Sequence, residues 1–300
     1  MTVIVQLAGG LGNQLFQYAT ARALSLRLDS PLLLDTWSGF SRDFQYKRKY
    51  ALDSFPIRAL KARPIDMIPF WLGRAAARLD SSLPSPISSA FRFSSLVPII
   101  TDKNVAYSKI LAGLESGRSH WLSGYWQSPE YFDEYRSHIF QELSPPEPKH
   151  QLYVDVGRAM AVENSVAIGI RLYEEALDPS QHSSDGKSKD ASEISAAIAE
   201  IENSVADPVY YVFCSHNSPL IAEVMAGRPH FVLTPEFGYS DSTSTLWLLA
   251  QCHHHVFTNS TFYWWGAWLS KTNWNSDSQM IYAANNFVNR DCLPVDWATF

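Results

Sequence analysis

Cysteine is scarce in this chain, three among 300 residues, and Cys214, Cys252 and Cys292 stand far apart. No Cys-x-x-Cys pair exists to hold zinc or cycle a dithiol, and an odd, scattered set suits a reducing compartment. Long apolar runs are missing as well. Nothing approaches the ~18 residues needed to cross a bilayer. Met1–Leu7 lacks the basic start and apolar stretch of a secretory signal, so the expectation is a cytoplasmic protein. A basic excess is absent too: the net charge is −6, which argues against a nucleic-acid binder. No Gly-x-Ser-x-Gly elbow occurs, and no Ser/His/Asp set can be assembled from the sequence.

One stretch departs from the average charge. Between residues 42 and 92, ten Lys and Arg face four Asp and Glu, a local +6 that leaves −12 for the remainder. This basic 42–92 region reads either as a solvated surface or as a peripheral contact, for example with the inner membrane face.

What is present is ordinary globular material, 46% apolar and 18% charged, with length enough for two domains. Ten Trp and fourteen Tyr are many; such rings combine an apolar face with a polar handle. Val3-Ile4-Val5 reads as a buried strand, Ala8–Gly12 as a turn, and Leu15, Ala19, Ala23 and Leu26 recur near helical period. Pro31–Asp35 is a second strand, completing a β-turn-α-β unit. Residues 40–118 are irregular and partly helical. His120–Gly124 reads as a strand, followed by a helix from Pro129 towards Phe140. Pro145-Pro146-Glu147-Pro148 is the linker, giving domains 1–148 and 149–300. Beyond it, strands at Val166–Arg171, Val209–Cys214, His230–Leu233, His255–Thr258 and Met280–Tyr282 alternate with helices around Ile194–Ile201 and at Pro219–Ala226, Thr243–Gln251 and Thr261–Ser270. That alternation predicts an α/β, doubly wound parallel sheet. A polar loop from Leu172 to Asp190 leaves a strand end, where α/β ligands collect.

Three constellations could carry chemistry. In Gly9-Gly10-Leu11-Gly12-Asn13-Gln14, adjacent glycines let backbone approach a ligand, and two side-chain amides stand ready for hydroxyls. A dinucleotide site is one reading, with Asp35 as the ribose ligand, although Leu15 occupies the place of the third small residue. In Thr258-Asn259-Ser260-Thr261-Phe262, N-cap residues precede an aromatic helix, a setting for phosphate; Trp264, Trp265 and Trp268 read as helix packing. In Ile168-Gly169-Ile170-Arg171-Leu172-Tyr173-Glu174-Glu175, an arginine ends a buried strand, where its planar fork suits phosphate or a carboxylate such as Glu174. His253-His254-His255 lies on a strand whose successive side chains point to opposite faces, so no metal site is expected there.

Taken together, Gly9–Ala19 (GGLGNQLFQYA), Gly124–Phe132 (GYWQSPEYF) and Asn259–Leu269 (NSTFYWWGAWL) resemble the signature blocks of the α-1,2-fucosyltransferases, glycosyltransferase family 11. The resemblance runs from Val3 to about Trp297 and leaves residues 40–118 unmatched. It implies a GT-B-like fold, two Rossmann-like domains facing a cleft, the N-terminal one on the acceptor side and the C-terminal one holding GDP-fucose. It further implies L-fucose transfer from GDP-β-L-fucose, with inversion, to the 2-hydroxyl of a terminal β-galactoside. GDP-fucose is then a co-substrate, the other partner is a galactose-terminated oligosaccharide, and no cofactor or metal is required. By position, Gly10, Asn13 and Gln14 fall in the sugar-facing block, with Gly10 and Gln14 as donor contacts, Arg171 on the diphosphate, and Asn259, Ser260, Thr261 and Phe262 in the block that holds phosphate and guanosine. Asn13 joins Arg171 as a catalytic candidate, and Glu174 is the candidate base, with Glu175 behind it. The chain departs from the family pattern at Gly169, Leu172 and Glu174, where the pattern has His, Arg and Asp. Ser215-His216 replaces an acidic pair, with Ser215 kept as a donor contact, and Thr245 replaces an Asp. Two other readings are a catalytically silent carbohydrate-binding homologue and an NAD-dependent oxidoreductase.

Overall fold

A computed structural model describes residues 2–41, 43–44, 46–73, 75, 99–102, 114, 117–172, 189–270, 278–287 and 289–300. The chain divides into two compact units, Met1–Asp53 with Ile57–Trp126 and Glu130–Glu142, and Ser54–Pro56 with Gln127–Pro129 and Leu143–Phe300.

The first unit is built on β1 (Val3–Gln6), β2 (Leu32–Asp35), β3 (Leu60–Lys61), β4 (Ile99–Ile100) and β5 (His120–Leu122), in the order β3-β2-β1-β5-β4. Every pairing is parallel. Val3, Ile4 and Val5 are buried on both faces, as a short β-branched run in a parallel sheet demands. Helix α1 (Leu11–Arg27) crosses from β1 to β2 and buries Leu15, Phe16, Tyr18, Ala19, Ala23 and Leu24. Its far end is tied to α2 (Arg136–Leu143). The Arg22 guanidinium donates to both Glu142 carboxylate oxygens at 2.9–3.0 Å, and the Tyr18 hydroxyl donates to the same carboxylate. Burial pushes the Tyr18 phenol well up from its ordinary value. The continuous helix expected from Pro129 is replaced by two 3₁₀ turns, Pro129–Tyr131 and Asp133–Tyr135, ahead of α2. The cause is Phe132: its ring is fully buried, 6.2 Å from Phe16, and its backbone leaves the helical region at φ −139°.

The second unit runs α3 (Gln151–Met160), β6 (Ser165–Gly169), α4 (Ala191–Glu202), β7 (Val209–Phe213), α5 (Pro219–Met225), β8 (His230–Leu233), α6 (Ser242–Gln251), β9 (His254–Phe257), α7 (Thr261–Ser270), β10 (Ile281–Ala283) and β11 (Ala298–Thr299). The sheet order is β11-β10-β9-β6-β7-β8, all parallel. Its core joins Val166, Ile168 and Ile170 with Ile194, Ile198 and Ile201 of α4 and Ile221 and Val224 of α5. Helix starts are capped by side chains: Asp190 and Glu193 form a reciprocal capping box on α4, and Asp241 accepts the Ser244 amide at 2.7 Å on α6. Helix α3 was not expected from the sequence. Gly157, its weak point as a helix former, is what lets α6 approach, since a Cβ there would lie 2.1 Å from Trp247 Cζ3.

Helix α7 is interior along most of its length. Trp264, Trp265 and Trp268 are buried, with centroids 5.0, 5.2 and 6.2 Å apart, so these rings pack the core as their spacing implies. The three histidines turn to three partners: His253 Nδ1 lies 2.8 Å from the Glu163 carbonyl, His254 Nδ1 accepts the Met280 amide at 3.1 Å, and His255 Nε2 meets Ser270 Oγ at 3.0 Å. Burial holds His254 down to about 4 and His255 down to about 3. Among the described residues, no helix is long and apolar enough to cross a membrane.

Candidate functional site

Strand order decides where ligands collect in a doubly wound sheet: at the carboxyl ends of the two strands between which the order reverses. In the second unit the chain moves from β6 outward to β7 and β8, then returns to β9 on the other side. The reversal lies between β6 and β9. Arg171 follows β6, and Thr258, Asn259 and Ser260 follow β9 and lead into α7. Sequence-expected residues Arg171, Asn259, Ser260, Thr261 and Phe262 therefore meet at one sheet edge, and each is half-buried.

Thr258 closes the gap between the strands. Its amide donates to the Gly169 carbonyl at 2.9 Å, and its Oγ1 accepts the Arg171 amide at 2.7 Å. The Asn259 side chain donates to the Asn286 carbonyl at 3.0 Å, which ties the loop after β10 to the same edge. Tyr263, in the first turn of α7, donates its hydroxyl towards the carbonyls of Ile170 (3.2 Å) and Phe213 (3.0 Å). Its ring lies on Gly169, where a Cβ would come within 2.6 Å of Tyr263 Cγ. Arg171 is joined through its amide to Thr258, just ahead of α7, and an arginine next to a helix start, whose first amides have no partner within the helix, suits a phosphate. Ser215 lies beyond β7, one strand further out, exposed and with Oγ 3.4 Å from His216 Nδ1. Glu174 and Glu175, and residues 173–188 of the Leu172–Asp190 loop, lie outside the described residues.

The first unit repeats the logic with different groups. Its order reverses between β1 and β5, so the Gly9-Gly10 turn faces Ser123 and Gly124. Gly9 has φ +76°, and a Cβ there would collide with Asn13 at 2.6 Å. Gln14 is fully buried. Its Nε2 donates to the carbonyls of Gly9 (3.0 Å) and Lys49 (2.9 Å), and its Oε1 accepts the Ala51 amide at 2.9 Å. Gln14 thus shapes the glycine turn, while Gly10 and Asn13 are the half-buried members of the block.

Residues that sequence reasoning missed complete this edge. Gln17 Oε1 accepts the Ala8 amide at 2.9 Å and its Nε2 donates to the Gly124 carbonyl at 3.0 Å, spanning the reversal. Ser123 Oγ donates to Gln6 Oε1 at 2.9 Å, Gln6 Nε2 donates to Ser38 Oγ at 2.7 Å, and Ser38 Oγ donates to Asp35. Asp102 Oδ2 accepts the amides of Tyr125 and Trp126, both at 2.8 Å. The signal for Gln17 was available: it is a polar residue on the buried face of α1. Asp102 had none, because it follows a two-residue edge strand. The ribose role offered for Asp35 is corrected: its carboxylate is fully buried and accepts the Trp37 and Ser38 amides at 3.2 and 2.9 Å, capping its own turn.

Two doubly wound parallel units, each gathering polar groups at its own order reversal, make this a GT-B-type α/β protein. A solved structure of a mutant Arabidopsis thaliana FUT1 in complex with GDP shares the fold, at a TM-score of 0.51 and 12% identity over 93% of this chain and 69% of that one. The profile of glycosyl transferase family 11 matches residues 103–291, and the chain belongs to that family. It is similar to an alpha-1,2-colitosyltransferase of Escherichia coli, 25% identical over 296 residues, 97% of this chain and 94% of that protein. It is also similar to the O-antigen biosynthesis glycosyltransferase WbnK of Escherichia coli, 24% identical over 282 residues, 88% of this chain and 89% of that one.

Proposed function

We propose that this glycosyltransferase moves L-fucose from GDP-β-L-fucose to the 2-hydroxyl of a terminal β-galactoside, with inversion and without a metal. The observation that carries the reading is Arg171 standing beside the start of α7 at the order reversal of the second unit. When the acceptor oxygen bonds to the sugar's anomeric carbon, the bond from that carbon to the β-phosphate oxygen breaks and its electron pair leaves with GDP. Arg171 and the amides at Ser260 and Thr261 neutralise that charge, which is what a metal would otherwise do. The proton of the acceptor hydroxyl passes to Glu174. Phe262 and Ser215 serve the nucleoside. Gly10 and Gln14 face the donor's sugar, and the neutral amides around Asn13 suit sugar hydroxyls. A cytoplasmic location, with the basic 42–92 stretch against the inner membrane face, belongs to the same proposal.

A second donor is favoured by one observation, the similarity to the alpha-1,2-colitosyltransferase over nearly the whole chain. A turnover assay separates the two. The purified chain is given GDP-fucose or the colitosyl donor, with a β-galactoside, in excess EDTA. GDP release with an α-1,2-linked fucosylated product supports the reading. Turnover of the colitosyl donor alone selects the second. Loss of activity in EDTA that Mn²⁺ restores removes the metal-free mechanism.

A further inference from the structure

We infer that Tyr263 is a positioning residue that sets how Arg171 is presented beside the start of α7. The inference rests on the reading that this edge holds the donor's diphosphate. The carbonyl of Ile170 and the amide of Arg171 belong to one planar peptide unit. The carbonyl accepts from Tyr263 Oη at 3.2 Å, and the amide donates to Thr258 Oγ1 at 2.7 Å. Both sides of that plane are therefore held, one from α7 and one from the end of β9.

Tyr263 also reaches the Phe213 carbonyl at 3.0 Å, which itself accepts the Ile170 amide at 2.9 Å. One phenol thus bears on the ends of β6 and β7 together. The hydroxyl is delivered to this depth only because Gly169 carries no side chain: the ring occupies the space, with Cγ 2.6 Å from where a Cβ would stand. Rotation of the Ile170–Arg171 peptide would swing the Arg171 Cα–Cβ bond, and with it a guanidinium that must meet a phosphate within hydrogen-bond reach. Since ~1 Å of misplacement can cost on the order of 100-fold in rate, fixing this plane from the helix that starts at Thr261, directly after Ser260, keeps the two halves of the anion site in register. A buried tyrosine that merely fills space needs the ring and not the hydroxyl.

The test is a double-mutant cycle on the full chain. Tyr263→Phe keeps the ring and its contact with Gly169 and removes only the grip on Ile170 and Phe213. It should lower kcat/KM for GDP-fucose about 10-fold, and the same change in an Arg171→Ala background should alter it less than about two-fold, because contacts acting through one another are non-additive. Gly169→Ala, whose methyl pushes the same ring, should show the same dependence on Arg171. Equal losses in both backgrounds, or no loss from Tyr263→Phe alone, would overturn the inference. GDP affinity measured calorimetrically on the same four proteins gives the cycle a readout independent of turnover. A wild type that turns over neither donor while its GDP affinity shows this coupling refutes the transfer reading and leaves the positioning role standing.

Discussion

The two order reversals are the same piece of topology finished in opposite chemistry. In the first unit the gap between β1 and β5 is spanned by neutral groups, Gln17 from Ala8 to Gly124 and Gln6 from Ser123 to Ser38, and both carboxylates at this edge accept backbone amides, Asp35 those of its own turn and Asp102 those of Tyr125 and Trp126. In the second unit the gap between β6 and β9 is closed by Thr258, whose amide donates to the Gly169 carbonyl and whose hydroxyl accepts the Arg171 amide, and an arginine and a helix start follow the two strands at that edge. Neutral donors and acceptors suit a sugar, which offers hydroxyls. A cation beside a helix start suits a diphosphate. One scaffold, used twice, thereby presents two unlike chemistries.

The difference can be broken from its charged side first. Arg171→Ala should lower glycosyl transfer by at least ~10²-fold, the scale for losing one preorganised electrostatic contact. Arg171→Lys should restore little of it, because the planar fork is lost. A kcat/KM for the alanine variant within a few-fold of wild type would remove Arg171 from the site. On the neutral side, Gln17→Leu keeps the volume but strips the Ala8 amide and Gly124 carbonyl of their partner, and should cost about 1–3 kcal/mol of stability. Chemical denaturation checks this, and an unchanged midpoint would show that water replaces the amide.

The smallest effect concerns β9, where His255 lies three residues before Thr258. Its folded value, about 3, lies below its ordinary 6.5, so the unfolded chain binds the proton more readily. Stability from keeping it neutral is complete above 6.5 and declines as the pH falls towards 3. At pH 5.5 the loss amounts to about 1 kcal/mol. His254, held down to about 4, adds a comparable slope over the same window, so melting curves from pH 7.5 to 5 should show both, and His255→Gln should reduce the slope by about half.

Much of the second unit could be read along the chain. Its strands are continuous apolar runs, and its helices α4 to α6 start at Asp190, Ser218 and Asp241, whose side chains cap them. The block from Asn259 to Phe262 announced a helix start because cap residues precede an apolar run. The first unit was legible only at β1, α1, β2 and β5. Strands β3, β4 and, in the second unit, β11 are two residues long, too short for any periodicity. The break at Phe132 depends on a contact with Phe16 far away in sequence. Tyr263 illustrates the limit best: an aromatic in an aromatic helix carries no local sign that its hydroxyl reaches back to two strand ends.

The stacked and edge-on tryptophans of α7 give the molecule an optical signature. Trp264, Trp265 and Trp268, with Trp297 5.3 Å from Trp264, stand close enough for their transitions to couple, and all four rings belong to the second unit. The resulting near-ultraviolet dichroism depends on fixed ring-to-ring angles. It therefore vanishes when side-chain packing loosens, even while helices persist. The helix whose start lies beside Arg171 thus carries, along the rest of its length, an internal gauge of whether its unit is still a packed solid.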